Sequence, residues 1–340
     1  MTSPRLTATY SMLTTYGDCP MKGDLRYGQQ LVPQASDPNL SFGSVFHGCL
    51  KLWHEHHDLS RVLDFIDRSY PNRAGDDDQR RDWHLATAMM RAYVERYPSE
   101  DFEVIALEKP IDGPIINPAT GATSRTFHFA GKVDGIIRLG DEHLILEHKT
   151  AGSLDGGYLE RLWSDFQTTL YAHYVEKALG VRVAGVLYNV IVKARLQQSQ
   201  GETEEEFEAR RAALIAKSKT GKSSAKRRMP ESDEAFQARL AEKYLDPGMF
   251  HREHLIISRD RFQALRSHLW EMTQMLLHFR RRGVYPQNPA HCFRYGRPCA
   301  YHPLCSSDFS PAVRENLYRI EPPHSELTDD ESDPHDKPVF

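Results

Sequence analysis

Residues 127–150, FHFAGKVDGIIRLGDEHLILEHKT, constrain this chain more than any other stretch. Val133, Ile136, Ile137 and Leu139 read as one apolar strand, and Leu144, Ile145 and Leu146 as a second. Gly140-Asp141 between them is a Gly-led pair suited to a tight hairpin. A turn centred there sets Leu139 against Glu142 and, counting outward, Asp134 against Glu147. Directly opposed residues of an antiparallel pair have Cβ atoms about 4.5–5.5 Å apart. Period-two alternation then puts Lys149 on the face of Glu147. Two carboxylates and a lysine converge on one sheet surface. Adjacent carboxylates repel unless a cation lies between them, and hard oxygen donors suit Mg²⁺ or Mn²⁺. A lysine beside them can orient or deprotonate water and screen a phosphate. The same spacing also occurs as ordinary surface charge on a hairpin. Three polar residues in a row, Glu147-His148-Lys149, closing a strongly apolar strand are what ask for more.

The net charge of −4 over 340 residues argues against a uniformly basic nucleic-acid binder and leaves room for a local basic groove. No run approaches the roughly 18 apolar residues of a membrane span. The opening MTSPRLTATYSML lacks a signal-peptide core. The expectation is a soluble cytoplasmic protein.

Residues 8–30 read as a short helix, a turn at Asp18-Cys19-Pro20, then more helix. A second helix opens at Ser41 and runs to about His57, with Val45, Phe46, Cys49, Leu52 and Trp53 as its apolar stripe. His47 lies beside that stripe, where a lone histidine is ordinarily structural, and His54 to His57 read as a solvated helix end. Residues 102–109 form a strand; Glu108 near its end is a ligand or, the favoured reading, an edge charge. A loop follows from Pro110 to Thr123. Residues 157–179 read as one amphipathic helix on Leu159, Leu162, Trp163, Phe166 and Leu170, stopped by Gly180. Gln167 and Tyr171, four apart, share a surface of it. Strands at 183–193 and 253–258 and a helix at 260–282 complete an α/β core.

Residues 197–250 look like a charged helical insertion. Glu202, Glu204, Glu205, Glu206 and Glu208 give way to a run of cations from Arg210 to Arg228. Such a run is ordinarily a solvated helix and mobile loop; as a flexible arm it would contact phosphates. Residues 321–340 are acidic and expected to be disordered.

Five cysteines spread unevenly over the chain are no disulfide framework. Cys292, Cys299 and Cys305 fall within fourteen residues among prolines and form a metal-ligand cluster more readily than a packing feature. Cys19, in its Cys-Pro turn, is the candidate fourth ligand, and Cys49 looks like core. Thiolates allow an iron–sulfur cluster or zinc, and either would clasp the two ends of the chain.

Taken in order, Phe42-Gly-Ser-Val-Phe-His47, Gly131-Lys-Val-Asp134, Glu147-His-Lys149 and Gln167-Thr-Thr-Leu-Tyr171 resemble the PD-(D/E)XK nuclease superfamily, specifically its RecB-like exonuclease branch. The cysteines are similar to those of the iron–sulfur subgroup, which includes the AddB nuclease domain, CRISPR-adaptation exonucleases and phage-encoded relatives. Here they run C-x6-C-x5-C where C-x2-C-x5-C is commoner, which bears on cluster type rather than presence. The resemblance covers residues 8–195 and 250–306 and implies a restriction-endonuclease-like core with a mixed central sheet flanked by helices. It implies His47, Asp134, Glu147 and the His148 carbonyl as Mg²⁺ or Mn²⁺ ligands, with Asp134, Glu147 and Lys149 catalytic. It further implies a 4Fe-4S cluster on Cys19, Cys292, Cys299 and Cys305, with zinc the lesser option, and DNA positioning by Gln167 and Tyr171. No helicase motor accompanies it: Gly221-Lys222-Ser223 lacks the leading glycine and the preceding strand of a phosphate loop.

The expectation is therefore a single nuclease domain over residues 1–320, with 197–250 as insertion and 288–306 as the cysteine-rich segment pairing with Cys19. It would hydrolyse DNA phosphodiesters from ends or on single strands, in recombination, repair or phage DNA processing, with a possible recombination or helicase partner. A noncatalytic DNA-end-binding subunit and a zinc-clasped interaction domain are the alternatives.

Overall fold

The computed structural model describes residues 5–35, 38–294, 296–324 and 327. The chain opens with β1 (Leu6–Ala8), α1 (Tyr10–Asp18), α2 (Pro20–Gly23) and β2 (Leu31–Pro33). Three helices follow, α3 (Pro38–His56), α4 (Leu59–Ser69) and α5 (Asp77–Arg96). Then come β3 (Glu103–Ile116), β4 (Thr123–Leu139), β5 (Glu142–Ala151), α6 (Gly156–Trp163), α7 (Phe166–Leu179) and β6 (Val183–Val192). α8 (Glu204–Lys217) and α9 (Asp233–Tyr244) lead to β7 (Phe250–Ile256) and α10 (Arg259–Arg282). A small C-terminal unit contains β8 (Phe293–Arg294), β9 (Arg297–Pro298), α11 (His302–Ser306), α12 (Pro311–Leu317) and β10 (Tyr318–Ile320).

Six strands make one mixed sheet in the order β1-β4-β5-β6-β7, with β3 on the other edge of β4. β4 carries β1 in parallel at Phe127–Phe129 and β5 antiparallel from Leu139↔Glu142 to Gly135↔Leu146, the expected hairpin register. β5 and β6 are parallel, which the crossover through α6 and α7 permits. Apolar side chains on one face (Phe127, Phe129, Val133, Ile136, Ile145 and Tyr188) pack against α1, α7 and α10. The other side is covered by α3, α4, α5 and α9 through Phe46, Leu50, Ile66, Met89, Tyr93 and Phe236. The result is an α/β fold, a central mixed sheet between helical layers.

Several elements differ from expectation for identifiable reasons. β3 continues to Ile116, through Pro110 and Pro114, because it is an edge strand whose outer side has no ladder to supply. The helix expected over 157–179 breaks at Ser164-Asp165, where the Asp165 carboxylate accepts the Gln167 amide at 2.8 Å and caps α7. Trp163, assigned to its apolar face, is 49 % exposed. α3 starts at Pro38 rather than Ser41. The insertion is only partly a solvated arm: Phe236, Leu240 and Tyr244 of α9 are buried beside α5. Its acidic and basic halves pair with each other, Arg210 with Glu202 and Arg227 with Glu204. Glu321, where the acidic tail was expected to begin, donates its amide to Gln30 and its carboxylate meets Arg319. Residues 328–340 of that tail lie outside the described residues. Among the described residues no helix is long and apolar enough to cross a membrane.

Candidate active site

The site grows from the β4–β5 hairpin. Val133 and Ile136 both face the α7 side although three positions apart, so strict alternation slips between them. Asp134 sits in that slip. Its Oδ2 accepts the main-chain amide of His148 at 2.8 Å and lies 3.3 Å from Nδ1 of His47, delivered by α3. On the opposite edge of β4, Glu108 falls between the pairs Leu107↔Gly135 and Lys109↔Val133, beside Asp134. Its φ of +45° is a left-handed conformation that a non-glycine residue adopts at a cost of about 1–3 kcal/mol. An ion pair with Lys132 Nζ at 2.7 Å holds the Glu108 carboxylate in place. One donor atom each of His47, Glu108 and Asp134 lies within 4.8 Å of the other two. Glu108, favoured as an edge charge from the sequence, thus stands beside two of the candidate ligands.

Glu147 and Lys149 follow Ile145 onto the α7 face, and Lys149 Nζ meets Glu147 Oε1 at 2.5 Å. His148 points the other way. Its ring stacks on His54 with centroids 5.5 Å apart, and its Nδ1 pairs with Asn189 Nδ2 at 3.0 Å. Asn189 also reaches the Tyr93 hydroxyl, which Arg252 contacts while forking onto Glu100. His54, taken for a solvated helix end, is therefore buried inside a polar network beneath the site.

These neighbours shape the charges. Burial by itself would raise the Asp134 carboxyl, but His47 and the His148 amide pull it well below the usual carboxylate range. Burial pushes Glu147 up to about 7, with Lys149 opposing and Asp134 reinforcing the rise. Burial would lower Lys149, yet Glu147 and Asp134 hold it above the ordinary lysine range. For His47, burial is outweighed by Asp134, and the imidazole is raised. A nitrogen donor with two adjoining carboxylates, plus a third carboxylate alongside, is a donor set that fits a hard divalent cation.

A family model described as the PD-(D/E)XK nuclease superfamily matches residues 7–306. The chain belongs to the PD-(D/E)XK nuclease superfamily. Its mixed sheet is consistent with the restriction-endonuclease-like core of that superfamily. A crystal structure of a candidate exonuclease from Eubacterium rectale is similar at 10% identity and a TM-score of 0.44, with 85% of each chain covered. No curated protein matches the sequence.

In this superfamily member the two halves of the Gln167–Tyr171 pair are joined, Gln167 Nε2 donating to the Tyr171 hydroxyl at 3.0 Å. The pair borders the acidic centre, since Glu147 and Asp134 both act on the Tyr171 phenol. Gly131 is required here: a Cβ would stand 2.9 Å from Cε1 of Tyr171. Asp165, absent from the sequence-based site, reaches the electrostatic neighbourhood of Lys149 and Tyr10 through the break before α7. An Asp two residues ahead of Gln167 in an otherwise helical run is the cap signal that could have found it.

The cysteines form a separate region. Cys19 caps α2, its Sγ accepting the Asn288 amide at 3.4 Å, while Asn288 Nδ2 donates to the Asp18 carbonyl. Cys292 and Cys299 flank the β8–β9 hairpin, and Cys299 donates its amide to the Cys292 carbonyl at 2.7 Å. Burial pushes the Cys305 thiol up to about 11, with Cys299, Cys19 and Cys292 adding to the rise, which places all four in one neighbourhood. Cys49 is fully buried among the α3–α5 core, as its place on the apolar stripe suggested.

Proposed function

We propose that this superfamily member is a Mg²⁺- or Mn²⁺-dependent deoxyribonuclease acting exonucleolytically, of the RecB-like branch, built as one domain over residues 1–320. The observation that carries the reading is the donor cluster of His47, Glu108 and Asp134 beside Glu147 and Lys149.

His47 Nδ1 and the Glu108 and Asp134 carboxylates would hold the cation, with Glu147 and the His148 carbonyl alongside. A divalent ion there supplies Lewis acidity toward a phosphoryl oxygen and toward water. Lys149, raised above the ordinary lysine range by Glu147 and Asp134, would neutralise charge developing on the phosphate. Asp134 is kept ionised by His47 and the His148 amide, so it is ready to ligate. Gln167 and Tyr171, locked together, orient the strand beside these groups.

A 4Fe-4S cluster on Cys19, Cys292, Cys299 and Cys305 is part of the same reading. The four thiols share one neighbourhood, Cys19, Cys292 and Cys299 all acting on Cys305, and the iron–sulfur reading over zinc rests on the resemblance.

The test is anaerobic purification followed by digestion of end-labelled single- and double-stranded DNA with Mn²⁺, Mg²⁺ or chelator. Progressive loss of label from the ends, abolished by chelator and by Asp134→Asn, is the expected result. Cleavage that persists in chelator would remove the cation from the mechanism.

A further inference from the structure

Just past Lys149, the end of β5 borders a cleft of about 770 Å³ that none of the candidate site residues lines. Its walls come from distant segments. Phe42 is contributed by α3, Arg81 by α5, Thr150 by the end of β5, Lys193 and Arg195 by the segment after β6, and Arg297 by the β8–β9 hairpin. Four cations face it against two carboxylates, Asp78 and Asp82, and both carboxylates are engaged by Arg81. In a chain of net charge −4, this is a local reversal of sign.

Three of the cations are anchored rather than splayed. Arg195 donates Nε to the Gly152 carbonyl at 3.2 Å, which fixes its guanidinium beside the end of β5. Lys193 lies over the Phe42 ring at 5.4 Å, and Arg81 is held by its two aspartates. Arg297 is exposed on the hairpin between Cys292 and Cys299. Among the described residues neither Arg195 nor Arg297 has a carboxylate partner. One anchored guanidinium, Arg195, and one exposed guanidinium, Arg297, neither with a counter-charge, at a cleft opening next to Thr150 match the phosphates of a strand more than a structural ion-pair network.

We propose that this cleft is a second contact site for the DNA backbone, in which Arg195 and Arg297 each bind a phosphate of the strand whose scissile bond lies at Lys149. A guanidinium held on a phosphate positions the strand by charge and carries no sequence information. It rests on the nuclease reading above for the identity of the strand. The cysteine-flanked hairpin thereby gains a task beyond closing the chain: it carries Arg297 to the substrate.

The experiment measures binding of a short fluorescein-labelled single-stranded DNA by anisotropy, on the full chain in EDTA, across a salt series. For single strands each phosphate contact contributes about 0.7 to the salt slope, which is about fivefold in affinity at 0.1 M salt. Arg195→Gln and Arg297→Gln are each expected to weaken binding about fivefold and to flatten the slope by about 0.7. Arg195→Glu and Arg297→Glu should weaken it further, with circular dichroism unchanged. Arg138→Glu, at the turn end of the β4–β5 hairpin and paired with Glu103, should bind as the parent does. Parent-like Kd and salt slope in both Gln variants overturn the proposal, as does a parent protein that binds no DNA. If the parent binds through these arginines but cleaves nothing with Mn²⁺ or Mg²⁺, the cleft stands and the nuclease reading falls. If it cleaves while both variants bind normally, the nuclease reading stands and the cleft falls.

Discussion

His47 Nδ1 lies 3.3 Å from Asp134 Oδ2, joining a helix of one layer to the strand at the centre of the sheet. Without a cation this contact, together with the His148 amide, holds the Asp134 carboxyl well below the usual carboxylate range. With one, the two become neighbouring donors. Asp134→Asn should therefore remove calorimetric Mn²⁺ binding and cut cleavage by at least about 100-fold, leaving the fold intact. Glu108→Gln should weaken Mn²⁺ binding about 10–100-fold by the same measurement. Parent-like cation affinity in Glu108→Gln would return that residue to the role of an edge charge.

Lys149→Met separates charge neutralisation from cation binding. Loss of a donor aimed at developing charge costs about 100- to 1,000-fold in kcat. The expected variant binds Mn²⁺ and turns over that much more slowly, in single-turnover assays on labelled DNA. Full activity would reject the role given to the lysine.

Glu147 gives the pH dependence. Burial raises its folded value to about 7, above the ordinary carboxylate value of about 4.3. A group raised on folding stabilises fully below its unfolded pKa and loses that contribution as pH climbs through its folded one. The metal-free parent should thus lose stability relative to Glu147→Gln between about pH 4.3 and 7, followed by urea unfolding at each pH. Cation binding requires the deprotonated carboxylate, so Mn²⁺ affinity of the parent should rise with pH through about 7 and release a proton. Calorimetry in buffers of different ionisation enthalpy reads that proton.

Asn189 tests the layer beneath. It is buried, and its side-chain amide serves both His148 and Tyr93. Asn189→Leu leaves the buried His148 Nδ1 without its side-chain partner, while the Tyr93 hydroxyl keeps Arg252 and Glu100, a loss of about 1–3 kcal/mol. Thermal and urea unfolding should both register the loss.

The cysteines divide by position. Cys299→Ala should bleach the visible absorbance of the anaerobically purified protein and lower its stability. Cys49→Ala, in the α3–α5 core, should change packing and leave the absorbance as it was. Equal spectra for the two variants would set aside the cluster.

The hairpin register, the cysteine neighbourhood and the Gln167–Tyr171 pair were legible in the residues themselves, because each depends on short-range periodicity or on a rare residue type. Leu139↔Glu142 needs only a two-residue turn and alternation. Glu108, Asp165 and His54 were not legible. Glu108 joins the site through a left-handed twist held by Lys132 from the adjoining strand, and Asp165 through a break in a continuous helical pattern. His54 is buried where His148, Tyr93 and Phe102 meet around it, all far from it in sequence. Sequence determined which side chains carry the chemistry. The tertiary structure decided which of them meet, since a carboxylate on an edge strand and an imidazole on a helix acquire a common neighbour only once sheet and helix pack.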